Sequence, residues 1–384
     1  MSSAHLTIAT PRRIESQSTL KTMPNILGRH LIVVLFFLSL ASGNLTGQDV
    51  LRIESQGTGV EASFRGIAVR SATECWVSGS GGTVIRTTDS GQKWSVVQVP
   101  GSEDLDFRDI ALPQPNVVLL MSAGPGNLSR IFRSDDNGAS WSTVLTNDDE
   151  RGFFNAIDFF DAERGVLVGD PIDGRLDLYQ SSDGGQNWVA GQGPRVKEGE
   201  YGFAASGTNL TLVADRYVFV ATGGSIARVF HSQDQCKTWS IATPPVTHGN
   251  ESSGIFSIAF RDTQHGVIVG GDYKAPTLDR GNVARTDDGG VTWKLADSPP
   301  KVPHKACVGH LAENTWLAVG RTGVAISNDD GVSWHQQSDQ SYYTFDFDQR
   351  SGIGWMAGSD GRVARFSVTP TSRNASDTGE SLSH

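Results

Sequence analysis

Charge is sparse in this sequence and has no long run of one sign. Only 19% of its 384 residues are Asp, Glu, Lys or Arg, and the formal net charge is -10. Phosphate recognition requires clustered Lys and Arg, so nucleic acid is excluded as a partner class. Cysteine is equally scarce. Cys75, Cys236 and Cys307 show no CxxC spacing, and an odd count cannot pair fully. One disulfide is compatible with these positions and none is required; small buried residues in strands are the expected role. Haem attachment needs CxxCH, which is absent. No GxGxxG follows a strand, since Gly79-Ser80-Gly81-Gly82 has the wrong spacing, and no βαβ pattern could carry a dinucleotide. Bound quinone has no positive support, and no cofactor is expected. Helical periodicity is missing throughout.

The longest apolar run is ten residues, LIVVLFFLSL at 31–40. A spanning helix needs about 20 apolar residues, so this run is too short to cross a bilayer comfortably. Arg29 and His30 precede it and Ala41-Ser42-Gly43 follows, the plan of a secretory signal. No Cys follows, so a lipoprotein anchor is not supported. Met23 would open a more ordinary signal than Met1. The expected organisation is an N-terminal extension and signal peptide at 1–47, a propeller at 48–368, and a polar disordered tail at 369–384. The mature chain is expected to be secreted or periplasmic, with no stable membrane span after cleavage.

Glycine (44 residues) and a repeated octet fill the rest. The octets are TTDSGQKW (87–94), SDDNGASW (134–141), SSDGGQNW (181–188), SQDQCKTW (232–239), TDDGGVTW (286–293) and SNDDGVSW (327–334). Their tryptophans, Trp94, Trp141, Trp188, Trp239, Trp293 and Trp334, step by 47, 47, 51, 54 and 41 residues. Such a period with strand-like content marks a propeller or solenoid. Each octet reads as a hairpin turn. Asp89, Asp136, Asp183, Asp234, Asp288 and Asp329 accept backbone N–H bonds, Gly supplies positive φ, and Trp covers the hairpin base. These residues are structural. The fourth octet has Cys236 in place of Gly, so its turn is expected to be distorted.

Before each octet comes an apolar strand, such as FRGIAV (64–69) or IFSIAF (255–260), and then a strand ending in Gly, such as VLVG (166–169) or LAVG (317–320). A third strand enters the octet and a fourth leaves it. Four short antiparallel strands fill one propeller blade. Six octets give six blades. A seventh unit without an octet follows at 343–366 and has three strands. The stretch VLRIE (50–54) can supply its fourth and shut the ring, which removes free sheet edges. The fold class is therefore all-β, a seven-bladed propeller closed by its N-terminal strand.

The octets resemble the Asp-box, or BNR, repeat of sialidase-like propellers. Over 50–368 the unit is similar to the photosystem II assembly/stability factor-like (WD40/YVTN/BNR-like) propellers. The segments GFAASGTNL (202–210) and IAF…HGVIVGGDY (258–273) resemble those of a secreted bacterial branch. The resemblance is specific for fold. For function it implies an assembly-factor-like role, because photosynthetic members are assembly chaperones; other relatives carry oxidoreductase or glycosyl hydrolase labels.

Octets join the third strand to the fourth, so second-to-third loops and blade-to-blade loops share the opposite face. The long loops lie there: 170–175, 195–201, 248–254 and 272–281. Long loops on a rigid scaffold carry binding. The candidate binding residues are Asp170, Arg175, Glu200, Tyr201, Asp272, Tyr273, Arg321 and Asp360. Three constellations are weaker. His304, Cys307 and His310 have metal-like spacing, but on a strand position 307 points away from the other two. Asp170, Asp173 and Asp177 around Gly174 could hold Ca²⁺ but lack EF-hand spacing. Arg65 and Arg108 begin equivalent inner strands and could hold an anion at the channel mouth, or simply pair with Asp106 or Asp109.

Three function classes follow. An exported, non-catalytic scaffold for a protein partner in the cell envelope, or for a glycan, needs nothing the sequence lacks. A glycoside hydrolase, sialidase- or xyloglucanase-like, would need two facing carboxylates, for example Asp170 and Asp272, about 5–10 Å apart; the Arg-Ile-Pro opening of sialidases is missing, and a xyloglucanase-like enzyme would resemble two such propellers with a cleft between, where one is read here. An oxidoreductase lacks any cofactor motif.

Overall fold

The structure, a computed structural model, describes residues 50–296 and 302–369. The expected signal run at 31–40, and the expected tail beyond Thr369, lie outside the described residues.

Seven sheets make up the described residues. Blade one shows the plan: inner strand Phe64–Val69, then Cys75–Gly79, Val84–Thr87 and the outer Ser95–Val96, all antiparallel neighbours. Blades two to six begin at Phe107–Ala111, Phe154–Phe159, Leu210–Val213, Ser253–Phe260 and Cys307–Ala312. Blade seven holds Thr344–Asp348, Ile353–Ala357 and Val363–Thr369. Its outer strand is the N-terminal Val50–Gln56, paired with Val363–Thr369 through seven residue pairs from Val50↔Thr369 to Gln56↔Val363. The two ends of the described chain thus close the ring. One short 3₁₀ turn, Gly126–Leu128, interrupts the β structure among the described residues.

Both faces of every blade are covered, so second strands read as continuous apolar runs rather than alternating ones. Val118–Ser122 (VLLMS) is buried throughout. The core lies between blades as separate clusters. Phe64, Val77 and Ile85 of blade one pack on Trp355, Ala357 and Val363 of blade seven, across the closing junction. Carboxylates also bridge inner strands. Asp109 accepts from Ile157 N–H (2.9 Å), Asp158 from Leu212 N–H (2.9 Å) and Asp346 from Val69 N–H (2.6 Å). Burial pushes the Asp158 and Asp346 carboxyls up to about 6 and Asp109 well above its ordinary value.

The six octets share one hydrogen-bond scheme. In the second, Ser134 Oγ donates to Asp136 (2.8 Å) and accepts from Gly138 N–H (2.8 Å), while Asp136 accepts from Ser140 N–H (2.8 Å). The Ser140 hydroxyl, its N–H and Ser134 hold the Asp136 carboxyl at about 2. The fourth octet is not distorted. Cys236 adopts φ 67 and keeps the equivalent bond from its N–H to Ser232 Oγ (2.9 Å). The turn bonds and burial of the thiol among Val166, Val168 and Phe230 hold the left-handed conformation that Gly occupies elsewhere. All three cysteines are buried and free.

Candidate functional site

A second feature of the inner strands builds the site. In blades one, two, three and five the first ladder skips one residue, a β-bulge at Arg65, Arg108, Asn155 and Phe256. A bulge re-aims a side chain that regular alternation would send elsewhere. Here it sits at the end of each inner strand away from the octets. Arg65, Arg108 and Phe256 line a cavity of about 460 Å³ at that end of the ring.

The floor of this cavity comes from the chain itself. Before blade four, residues 202–209 run into the central channel. Ala205 C=O accepts from Arg65 of blade one (3.4 Å) and Ala204 C=O from Arg108 of blade two (2.9 Å). Ser206 Oγ donates to Ala306 C=O (2.8 Å), and Ser206 C=O accepts from Thr344 Oγ1 of blade seven (3.3 Å). One segment therefore touches four other blades or their loops. At Gly207 no side chain fits: the residue has φ +72, and a Cβ there would collide with the Asp109 carboxylate. Glu200–Tyr201 upstream and Gly223–Gly224 downstream form two extra short strands beside the Gly254 end of blade five. The segment leaves two separately lined cavities: the 460 Å³ one, and one of about 540 Å³ lined by Asp109, Asp158 and Asp346.

The 460 Å³ cavity has two unlike walls. One is aromatic. Phe203 stacks on Phe256 at 4.0 Å, with Tyr201, Tyr273 and His304 edge-on around them. The other is cationic, made by Arg65, Arg108 and Arg321 beside Tyr343. Arg108 is held by Asp106 (2.7 and 2.9 Å). Arg65 has the Tyr343 ring 4.2 Å from its guanidinium, and neither Arg65 nor Arg321 forms an ion pair among the described residues. Burial, then the nearby charges of Arg108 and Arg321, lower the Arg65 pKa. Asp170 lines the same cavity, accepts from Gly202 N–H (3.0 Å), and is pushed up to about 6 by burial.

The structure sorts the sequence candidates. Asp170, Tyr201, Tyr273 and Arg321 converge on this cavity. Glu200 does not: it is fully buried and ion-paired with Arg228, which leaves it no ligand-binding capacity. Arg175 donates to Gly193 C=O (2.8 Å), and Asp272 fastens its own loop through Lys274 N–H (2.9 Å) and Asn250 (3.2 Å). Asp360 borders a separate cavity with Glu61 and Ser80. His304, Cys307 and His310 face three environments: the cavity, the Thr208 hydroxyl, and Glu313 C=O. Asp173 pairs with Arg151 and Asp177 with Asn147, away from Asp170. Arg108 takes the pairing with Asp106 that the sequence allowed, while Arg65 lines the cavity without a carboxylate partner among the described residues. The sequence does not mark Phe203 or Phe256 as binding residues, and it offers His304 only as a metal-like ligand. The skipped residue in F-R-G, F-R-D and I-F-S was the available signal.

Comparison with known proteins agrees with this architecture. The family described as photosynthesis system II assembly factor YCF48 matches residues 52–194. The photosystem II assembly lipoprotein Ycf48 of Synechococcus sp. (strain CC9902) is 25% identical over 244 residues, covering 61% of this chain and 62% of that protein. A probable oligoxyloglucan-reducing end-specific xyloglucanase of Neosartorya fischeri is 30% identical over 127 residues, 29% of this chain and 16% of the enzyme. A Paenibacillus xyloglucanase is 22% identical over 67% of this chain and 28% of the enzyme. The chain thus spans less than two thirds of each of these relatives. Among solved structures, YCF48 bound to a D1 peptide (TM-score 0.61, 17% identity) and YCF48 from Cyanidioschyzon merolae (0.62, 15%) cover 83% and 82% of this chain, and 96% and 98% of their own. The chain is a seven-bladed β-propeller of Asp-box repeats, similar over residues 52–194 to the photosystem II assembly factor family.

Proposed function

We propose that this chain is an exported, non-catalytic scaffold that docks a protein partner of the cell envelope on the face opposite its Asp boxes. The observation that carries this reading is the cationic and aromatic cavity at the centre of that face, with Arg321 exposed and Tyr273 36% exposed at its rim. A rigid ring with one recessed anchor site suits recognition, because aromatic and arginine anchors concentrate binding energy. A D1 peptide is bound in one solved YCF48 structure, which supports a protein as partner. Export rests on the 31–40 run; among the described residues no helix is long and apolar enough to cross a membrane.

A glycan-acting reading has one observation in its favour, the raised Asp170 carboxyl in the cavity. Hydrolysis needs a second carboxylate. Glu251 also lines the cavity, but it is ion-paired with Lys274.

The test is an affinity pull-down from the envelope fraction, comparing the wild type with Arg321→Ala/Tyr273→Ala. The variant is expected to lose the main partner. Equal recovery refutes the assignment of the face, and turnover of aryl glycosides that Asp170→Asn abolishes would establish the enzyme reading instead.

A further inference from the structure

His304 is a buried polar residue at the edge of the cavity. It is 2% exposed, it lines the 460 Å³ cavity, and neither ring nitrogen has a hydrogen-bond partner. Leaving a buried polar group unpaired is costly, and most such groups have a partner. Burial, with the charges of Lys305 and Arg321, pushes its pKa down to about 4, so the ring is neutral near pH 7. A neutral imidazole offers one N–H and one bare nitrogen, the complement of a hydroxyl group. On the other wall the guanidiniums of Arg65 and Arg321 lack a carboxylate partner among the described residues. Arginine is suited to planar, bidentate carboxylate recognition. Phe203 and Tyr201 add apolar surface to the same cavity. The Ala204–Ala205 floor closes the bottom, so a ligand enters from the face and stops.

We propose that this blind cavity binds a uronic acid: a hydroxylated ring whose carboxylate sits on Arg65 and Arg321, a hydroxyl on His304, and an apolar C–H face on Phe203 and Tyr201. A bare inorganic anion would leave the aromatic wall and His304 unused. A neutral sugar would leave both guanidiniums without a counter-charge. The cavity also exceeds what a simple anion fills. This proposal rests on the face assigned above but names a different kind of occupant. The sugar acid could arrive free or as the end unit of an acidic polysaccharide.

The experiment is calorimetric titration of the full chain, at low salt, with D-galacturonate and with a galacturonate oligomer. Galactose, acetate and a short peptide with a free C-terminal carboxylate serve as comparisons. Saturable binding of galacturonate, with galactose and acetate inert, is expected. Equal affinity for monomer and oligomer identifies the free acid; tighter oligomer binding identifies the polymer end. Arg321→Gln and His304→Leu should each weaken binding about tenfold or more. His304→Leu should unfold at no lower urea concentration than the wild type, since it removes two unpaired nitrogens from burial. A structural histidine would behave in the opposite way. Absence of saturable uronate binding, equal binding of galactose or acetate, unchanged binding by both variants, or binding of the peptide alone would each overturn the proposal. If the pull-down still depends on Arg321 while no uronate binds, the docking face stands and only this inference falls.

Discussion

Replacing Asp346 with Asn should change how stability depends on pH. Asp346 sits on the inner strand of blade seven. One carboxylate oxygen accepts from Val69 N–H of blade one (2.6 Å) and the other from Phe347 N–H (2.7 Å), so it latches the closing junction. Burial raises its pKa from 3.8 to about 6. A carboxyl whose folded value lies above its unfolded value binds more protons in the fold. Its contribution is therefore fully present below 3.8 and is lost as pH rises through about 6. Between about pH 7.5 and about pH 5 that amounts to about 1.4 kcal/mol. The amide of the Asp346→Asn variant cannot titrate and leaves one N–H without an acceptor, a pH-independent loss of about 1–3 kcal/mol. His304 works against the trend, because its lowered pKa removes stability on acidification, but it is common to both proteins and cancels. Loss of repulsion on Asp109 and Asp158 adds in the expected direction. Urea unfolding followed by tryptophan fluorescence, on wild type and Asp346→Asn at both pH values, measures the effect. The wild-type advantage should grow by about 1.4 kcal/mol on acidification. An advantage that is constant, or that shrinks, refutes the argument.

Glu200→Gln should cost about 3–5 kcal/mol, because it strands the buried Arg228 guanidinium; thermal unfolding measures it, and a loss below about 1 kcal/mol would show the pair to be dispensable. Gly185→Ala places a Cβ against Leu119 at φ +83 and should destabilise by about 2 kcal/mol or more, whereas Ala at the roomy, exposed Gly174, also left-handed, should cost about 1. Comparable losses at the two sites would mean that crowding does not matter. Deleting residues 1–56 uncovers the whole edge of Val363–Thr369, so the truncated chain should self-associate in size-exclusion chromatography. A stable monomer would contradict closure by the N-terminal strand.

Much of the fold was legible because propeller repeats are local. Each octet carries its own hydroxyl, carboxylate and left-handed residue within eight positions, and the bonds of Ser134, Asp136 and Gly138 never leave that window. The second left-handed residue of each turn was less visible. Ser90, Asn137 and Gln235 occupy it at φ 65, 56 and 57, and none of them is glycine. At Cys236 the sequence pointed to distortion, but burial of the thiol and three shared bonds outweigh the strain of one side chain.

The site was half legible. Loop placement follows from strand order, which assigns Asp170, Tyr273 and Arg321 to one face. Glu200 stands next to Tyr201 in sequence, yet it points into the protein toward Arg228 while Tyr201 borders the cavity. From the sequence alone come the blade count, the closing strand and the face that carries the long loops, since each depends on residues close in the chain or on strand direction. Tertiary structure decided that 202–209 fills the channel, that bulges turn Arg65, Arg108 and Phe256 inward, and that His304 is buried without a partner. The place of that segment depends on contacts 96 to 140 residues apart in the chain, and no local pattern encodes which groups will be left unpaired when the ring closes.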